Sequence, residues 1–571
     1  MRILLVASAF NSLTQRVFTE LVDRGHTVAV GVADDEAALR AAVYRHPADL
    51  VVAPMLRTAI PRDVRARHTC LVVHPGPPGD RGPSSLDWAL HTDAREWGVT
   101  VLQAEEEMDA GPVWADAAFT VPEGVAKSDL YRGEVTDAAV RAVLLAVERY
   151  DSGEWLPRPQ DGLPARVRPY LSQDVRRIDW RTQPTASVLR ALRAADSWPG
   201  VRDELLGCAW FLHGGHAEDR LRGTPGEVLA TRNGAICRAT ADGAVWIPEL
   251  RRCRTETTPP GIKLPAALAP AGRLSGVPDV PAPPDHRSAW SDIRYTERGE
   301  VGFLRFRFPG GAMSTEQCRR LLRAYRLARE RPVSVLVLGG ERDFFSNGIH
   351  LGVIEAAPDP AAESWANIVA MDDLVEEVLT TTDRLVVAAL AGNAAAGGAM
   401  LALAADEVWC RDGAVLNPHY RLMGLYGSEY WTYTLPRRVG AEQARALMDE
   451  AAPLSAARAL SLGLADRVLP VAPGEFAGAV AALAADVVRH TDVPARVARK
   501  KAERERDEAA RPLAAHRADE LARMHATFFA PDAPYHALRS AFVRKRPMPG
   551  TAERLDELSR LRFRPLGRWA D

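Results

Sequence analysis

Four short apolar runs near the start of the chain constrain its fold more than any other feature. Ile3-Leu4-Leu5-Val6, Thr27-Val28-Ala29-Val30, Leu50-Val51-Val52-Ala53 and Cys70-Leu71-Val72-Val73 are spaced as strands of successive β-α units, with amphipathic stretches such as Ala37–Tyr44 between them. Short, largely apolar runs suit strands buried on both faces, and helix-sized connections between them favour parallel neighbours. The start of the chain is therefore expected to form a doubly wound parallel sheet. Ligands of open sheets sit at the carboxyl ends of the strands, which points to the loop after Val73. The first strand is followed by Ala7-Ser8-Ala9-Phe10-Asn11-Ser12 and no GxGxxG, so no dinucleotide site is expected there.

The chain has 571 residues, enough for roughly three to four domains. A content of 47% hydrophobic and 26% charged residues excludes a disordered or collagen-like chain. A net charge of −2 gives no global field to recruit nucleic acid or an anionic membrane, and neither is expected as a partner. Six scattered cysteines without a CxxC suggest a reducing compartment, so the cytoplasm is the expected location. Leu385 to Ala405 is apolar except for Asn393, but its Ala/Gly content and the following Asp406-Glu407 favour a buried strand-turn-helix over a membrane span. The expected organisation is residues 1–165, an α/β domain; 166–275, a small β-rich domain and linker; 276–470, a second α/β domain; and 471–571, a helical region. The Pro/Ala/Gly-rich stretch from about Thr257 to Pro284 reads as linker, and the charged run Arg496–Arg511 as a solvated helix face. His213-Gly214-Gly215-His216 reads as a surface turn, since no third metal ligand accompanies the two histidines and no metal site is expected.

Two segments bear the chemistry of the first half. The strand ending at Val73 runs into His74-Pro75-Gly76-Pro77-Pro78-Gly79-Asp80-Arg81-Gly82-Pro83-Ser84-Ser85, with a helix start marked by Ser84 or Ser85. Gly98-Val99-Thr100-Val101-Leu102-Gln103 is then followed by Glu105-Glu106-Glu107-Met108-Asp109-Ala110-Gly111-Pro112, with Asp109 in a tight turn where Gly111 lets the backbone approach a ligand. Singly, His74 reads as well as a structural histidine and Asp109 as an ordinary Asx turn. In this order they resemble the formyltransferases that use 10-formyltetrahydrofolate, above all the methionyl-tRNA formyltransferase branch. Ile178-Asp179-Trp180, Ser197-Trp198-Pro199-Gly200 and Pro225-Gly226 extend the resemblance to the β-barrel domain of that branch. The family uses an Asn-x-His pair and the Asp of an Asp-x-Gly turn; here His74 and Asp109 match, and Val72 stands at the Asn position. The resemblance implies that His74 stabilises the formyl oxygen and Asp109 moves a proton; Val72 then means either a slower transfer or another donor, Arg81 or a loop N–H.

The second half holds two glycine turns. Phe344-Phe345-Ser346-Asn347-Gly348-Ile349-His350-Leu351 and Leu390-Ala391-Gly392-Asn393-Ala394-Ala395-Ala396-Gly397-Gly398-Ala399-Met400 each follow an apolar run. A Gly-rich turn leading into a helix offers free backbone N–H groups, though close packing alone can require the glycines. Together the turns resemble the crotonase, or enoyl-CoA hydratase/isomerase, superfamily, whose fold is a ββα spiral. By that resemblance the N–H groups of Ile349 and Gly397 hold a CoA thioester carbonyl. The positions of the two hydratase carboxylates are occupied by Met400 and by Asn417-Pro418-His419, so ordinary hydratase activity is not expected. The aromatic-rich segment from Tyr420 to Tyr433 reads either as packed core or as a pocket with a new acid or base. Its candidates are His419, Tyr420 and Glu429.

Nearly the whole chain, including Phe10-Asn11-Ser12-Leu13-Thr14-Gln15-Arg16 and Gly424-Leu425-Tyr426-Gly427-Ser428-Glu429-Tyr430-Trp431, resembles the HypX (HoxX) family of hydrogenase maturation proteins. The resemblance implies an enzyme that makes the carbon monoxide ligand of [NiFe]-hydrogenases. Formyl would pass from 10-formyltetrahydrofolate to coenzyme A, and formyl-CoA would then lose CO. It further implies cofactor binding by Gln15, Arg81, Met108, Gly348, His350 and Gly398, small-molecule substrates, and hydrogenase maturation proteins or the hydrogenase large subunit as partners. Two alternatives stand beside it: a formyltransferase with another acceptor and an inert crotonase domain, and a non-catalytic adaptor.

Overall fold

The computed structural model describes all residues except 257–258, 271, 284–288, 562 and 567–571. The ends of the expected linker, Thr257 and Pro284, lie outside the described residues. The chain divides into two units: Met1–Leu205 with Ala209–Gly215 and Gly550–Asp571, and Leu206–Cys208 with His216–Pro549.

The first unit is built on β1 (Arg2–Ala7), α1 (Ser12–Asp23), β2 (Thr27–Val32), α2 (Glu36–Arg45), β3 (Leu50–Ala53) and β4 (Cys70–His74). It continues with α3 (Ser85–His91), β5 (Glu96–Gln103), β6 (Val113–Thr120) and α4 (Thr136–Ser152). The sheet order is β2-β1-β3-β4-β5-β6. The first four strands are parallel, β5 runs antiparallel to β4, and β6 pairs antiparallel with β5 at the edge. Ile3, Leu4, Leu5 and Val6 are all buried, as expected for a central strand covered on both faces. The α1 helix starts at Asn11, whose Oδ1 accepts the Thr14 N–H at 3.0 Å. The helix Thr551–Arg560 near the end of the chain also packs on this unit, beside β2.

Between residues 166 and 205 the sequence leads one to expect strands and turns, but an 11-residue helix, α5 (Thr185–Ala195), occurs there. Its apolar stripe of Val188, Leu189, Leu192 and Ala195 has helical spacing and is buried. His213 is not on a surface turn: it is fully buried, and a Cβ on Gly200 (φ +84°) would meet its ring at 2.6 Å. Among the described residues no group of three or more His, Cys, Asp or Glu is arranged to hold a metal ion.

The second unit opens with an antiparallel sheet of β7 (His216–Glu218), β8 (Val228–Arg232), β9 (Ala235–Ala239) and β10 (Ala244–Ile247), in the order β7-β10-β9-β8. Part of the expected linker is ordered here, because Lys263–Pro265 pairs antiparallel with Glu249–Arg252. The larger sheet consists of β11 (Ile293–Arg298), β12 (Val301–Phe306), β13 (Val335–Gly339), β14 (Leu385–Leu390), β15 (Glu407–Arg411) and β16 (Arg467–Leu469), adjacent in that order and parallel after the first pair. Helices α6 (Thr315–Arg329), α7 (Pro360–Leu379), α8 (Gly397–Leu403) and α9 (Trp431–Val439) contribute to one core with its inner face. The run from Leu385 to Ala405 is thus strand β14, a turn and α8. No helix among the described residues is long and apolar enough to cross a membrane. Three helices follow: α10 (Phe476–His490), α11 (Val493–Ala510) and α12 (Leu513–Phe529). Of α11 only Val493 is buried, so its charged residues lie on a largely solvated face.

Candidate functional site

Residues of the first unit meet at the end of β4. His74 is buried there between two carboxylates: its Nε2 lies 3.1 Å from Asp80 Oδ2 and its Nδ1 3.4 Å from Asp109 Oδ1. Burial opposes charge on the ring, but hydrogen bonds to Asp109 and Asp80 outweigh it and push the imidazole up to about 9. Burial alone would raise both carboxyls, yet the contacts with His74 hold each below the usual carboxylate range. Asp109 sits at φ +59° in its turn, and its Oδ2 accepts the Gly82 N–H at 3.0 Å.

The loop that shapes this corner is tied down on all sides. Pro75 O accepts from Ser85 Oγ and Trp97 Nε1, and Gly76 O from Thr100 Oγ1. A Cβ on Gly76 would lie 2.4 Å from Asp80 Oδ2 and 2.5 Å from His74 Nε2, so only glycine leaves room for the pair. Gly111 meets the chain itself rather than opening a way to a ligand: a Cβ there would lie 1.9 Å from Gln103 O.

A strap following α4 completes the arrangement with residues the sequence reading does not single out. Gln160 accepts from Gly79 N–H at 2.9 Å and donates to the carbonyls of Asp109 (3.0 Å) and Gly111 (2.7 Å). Arg168 Nε donates to Asp80 Oδ1 at 2.6 Å. The only sequence signal for these residues is polar side chains in an otherwise Pro/Gly-rich connection. Of the expected cofactor ligands, Gln15 donates to Phe10 O at 3.0 Å, Arg81 pairs with Glu107 at 2.6 Å, and Met108 is exposed. None of these contacts reaches His74. Val72 lies on β4, paired with Leu102 and Ala53.

In the second unit the two glycine turns lie side by side. Ser346 bridges Ala394, and a Cβ on Gly348 (φ +78°) would lie 3.2 Å from the Gly397 nitrogen. Gly397 opens α8, where the helix provides no partner for its N–H. Ile349 follows directly and bridges Met313. Gly398 is required by packing, since a Cβ would lie 2.1 Å from Ser346 O. His350 caps the helix Leu351–Ala356 by accepting the Val353 N–H at Nδ1, and burial pulls its ring down to about 4.

Glu429 is brought to this point. Its backbone and that of Tyr430 both lie at φ +60°, and its buried carboxyl projects so that a Cβ on Gly397 would meet Oε1 at 2.1 Å. Tyr420 Oη donates to its Oε2 at 2.7 Å. His419 forms no hydrogen bond through its ring among the described residues, and burial pulls it down to about 4. Two further acids lie behind Glu429 that the sequence reading does not name. Asp372, on α7, accepts the Ser428 hydroxyl and the Glu429 N–H, both at 2.9 Å. Glu520, on α12, accepts the Tyr430 and Thr432 N–H groups at the start of α9. Burial raises all three carboxyls, Asp372 to about 7 and Glu520 to about 8, and burial together with Asp372 drives Glu429 well above the ordinary range. An acid on the buried stripe of a helix, as Asp372 is between Met371 and Leu374, is the one signal the sequence offers for this cluster.

Comparison with known proteins finds three family matches, the middle one running across the boundary between the two units. Residues 2–147 match the formyl transferase family, 170–259 the formyl transferase C-terminal domain, and 299–549 the enoyl-CoA hydratase/isomerase family. The hydrogenase maturation factor HoxX of Bradyrhizobium diazoefficiens is 48% identical over 557 residues, 96% of each chain. The methionyl-tRNA formyltransferase of Roseiflexus castenholzii is 30% identical over 191 residues, 33% of this chain and 58% of its own. The crystal structure of HypX from Aquifex aeolicus in complex with tetrahydrofolic acid is similar at a TM-score of 0.93 and 43% identity, covering 99% of this chain and 100% of that one.

Proposed function

Because the chain belongs to the HoxX/HypX family of hydrogenase maturation factors, we propose that it makes carbon monoxide from 10-formyltetrahydrofolate by way of formyl-CoA. In the first step the CoA sulfur attacks the N10-formyl carbon, the C–N bond breaks, and the thiol proton ends on N10. The products are tetrahydrofolate and formyl-CoA. Negative charge develops on the formyl oxygen; His74 offsets it, and Asp109 carries the proton.

The second step follows from the thioester itself. Formyl-CoA has no α-carbon, so enolate chemistry is closed to it and the formyl hydrogen is the one to remove. Glu429 takes that proton, the C–H electron pair becomes the lone pair of CO, the C–S bond breaks, and the proton passes to the sulfur. No electrons enter or leave. A carboxyl whose proton affinity is raised towards that of a thiolate can take the proton and return it, and Tyr420 orients it. The N–H groups of Ile349 and Gly397 hold the carbonyl oxygen, and the buried surroundings keep out the water that would give formate. On this reading the CO is made in the cytoplasm and goes to a [NiFe]-hydrogenase active site, received by the large subunit or another maturation protein.

The observation that carries the reading is the buried Glu429 carboxyl against the Gly397 turn; by the resemblance, Met400 and His419 stand at the two hydratase positions. One carboxyl suits the transfer of one proton. The test mixes the full chain with formyl-labelled 10-formyltetrahydrofolate and CoA and traps the gas on a haem protein. CoA-dependent labelled CO is expected. Labelled formate alone rules out CO synthesis, and labelled CO without CoA rules out the thioester.

A further inference from the structure

The two ring nitrogens of His74 face two different carboxylates, and the formyl-transfer reading uses only one of them. Asp109 lies at Nδ1, and Asp80, itself buried, lies at Nε2. A neutral imidazole has one N–H, so it would set a lone pair against one of these anions; only the imidazolium donates to both. The contact is also a built one. Gly76 leaves the room that any side chain would fill, and Arg168 Nε holds the far oxygen of Asp80 at 2.6 Å. Both acids hang on the same strap, because Gln160 ties the Gly79 loop to the Asp109 turn.

We propose that Asp80 is a positioning residue of the transfer centre, which together with Asp109 holds His74 as an oriented imidazolium and so replaces the side-chain amide missing at Val72. Val72 and His74 lie two apart on β4, on one face of the strand, and a valine brings no donor to that face. With both ring N–H groups donated to carboxylates, His74 acts on the formyl oxygen through its charge, and holding that charge permanently is the compensation. The charged groups around the ring are Asp80 from the loop, Asp109 from its turn, and Arg168 from the strap behind Asp80. Arg168 neutralises part of the Asp80 charge through its other oxygen, so Asp80 raises and Arg168 lowers the proton affinity of the ring. The raised proton affinity of His74 agrees with the arrangement. This inference rests on the reading of His74 and Asp109 as the formyl-transfer centre.

The test follows the His74 ring by NMR in the full chain labelled at histidine, assigned with His74→Gln, alongside the pH profile of formyl-donor consumption. Asp80→Asn is expected to lower the His74 midpoint by about one pH unit or more, and the alkaline limb of consumption moves with it, about tenfold in rate per unit. Arg168→Gln is expected to move both upward. Unshifted midpoints, shifts of one sign in both variants, or a consumption profile that ignores the shift each overturn the proposal. Should Asp80→Asn fail to fold, the sign of the Arg168→Gln shift decides alone. Loss of CO release with consumption intact counts against the proposed decarbonylation step and leaves the role of Asp80 standing.

Discussion

Single side chains set the pH behaviour of this protein. His74 binds its proton more tightly when folded, at about 9 against an ordinary 6.5, as burial is outweighed by Asp109 and Asp80. A raised folded value means that the stabilisation is complete below pH 6.5 and is lost as pH rises through about 9. The shift corresponds to roughly 3 kcal/mol. The protection factors of β4 amides, taken relative to the unfolded chain at each pH, are therefore expected to fall between these pH values, and His74→Gln to flatten that fall. Glu429→Gln keeps the shape and removes the base; CO release should fall about 10²–10⁴-fold while consumption of the formyl donor continues. His74 and Asp109 are legible as candidates because a strand end and a family motif point to them, and Tyr420 and Glu429, with His419, because an aromatic-rich segment stands where a hydratase carboxylate is missing. Asp80 and Arg168 are not, since they meet across 88 residues of chain, and Ser428 reaches Asp372 across 56.

At the scale of elements, turns decide what the side chains can do. Gly397→Ala would put a methyl group where the Glu429 carboxyl lies, so its CO release is expected to fall as far as in Glu429→Gln, measured in the same assay. A decrease below tenfold would show that the carboxyl can swing away without consequence. Asn11→Ala removes the cap of α1 and should cost about 1 kcal/mol in urea unfolding, with no change in the second unit. Strands β1 to β4 and β14 are legible as short apolar runs, α2 as an amphipathic stretch between two of them, and α8 as the Ala-rich run after a glycine turn. Helix α5 is hidden by the turn-rich residues around it, and the strand Lys263–Pro265 exists only because Glu249–Arg252 offers it an edge.

At the scale of the whole molecule, the end of the chain belongs with its beginning. The described residues beyond Pro549 join the first unit: Leu555 and Leu558 are buried, Asp556 lies 3.1 Å from His46, and Phe563 packs edge-on against Phe18. Truncation after Pro549 is expected to speed hydrogen exchange in β2 and α2 and to leave β12 to β15 unchanged; equal loss in both units would refute the assignment. The sequence by itself determines the sheet-forming runs, the two glycine turns and the family. Each of these is local, written in hydrophobic period or in contiguous motifs. Only the tertiary structure decides that His74 lies between two carboxylates, that Glu429 stands over Gly397 with Asp372 and Glu520 behind it, and that the last helix closes the first unit. Those are pairings between residues far apart in the chain, and their proton affinities depend on burial that no linear spacing encodes.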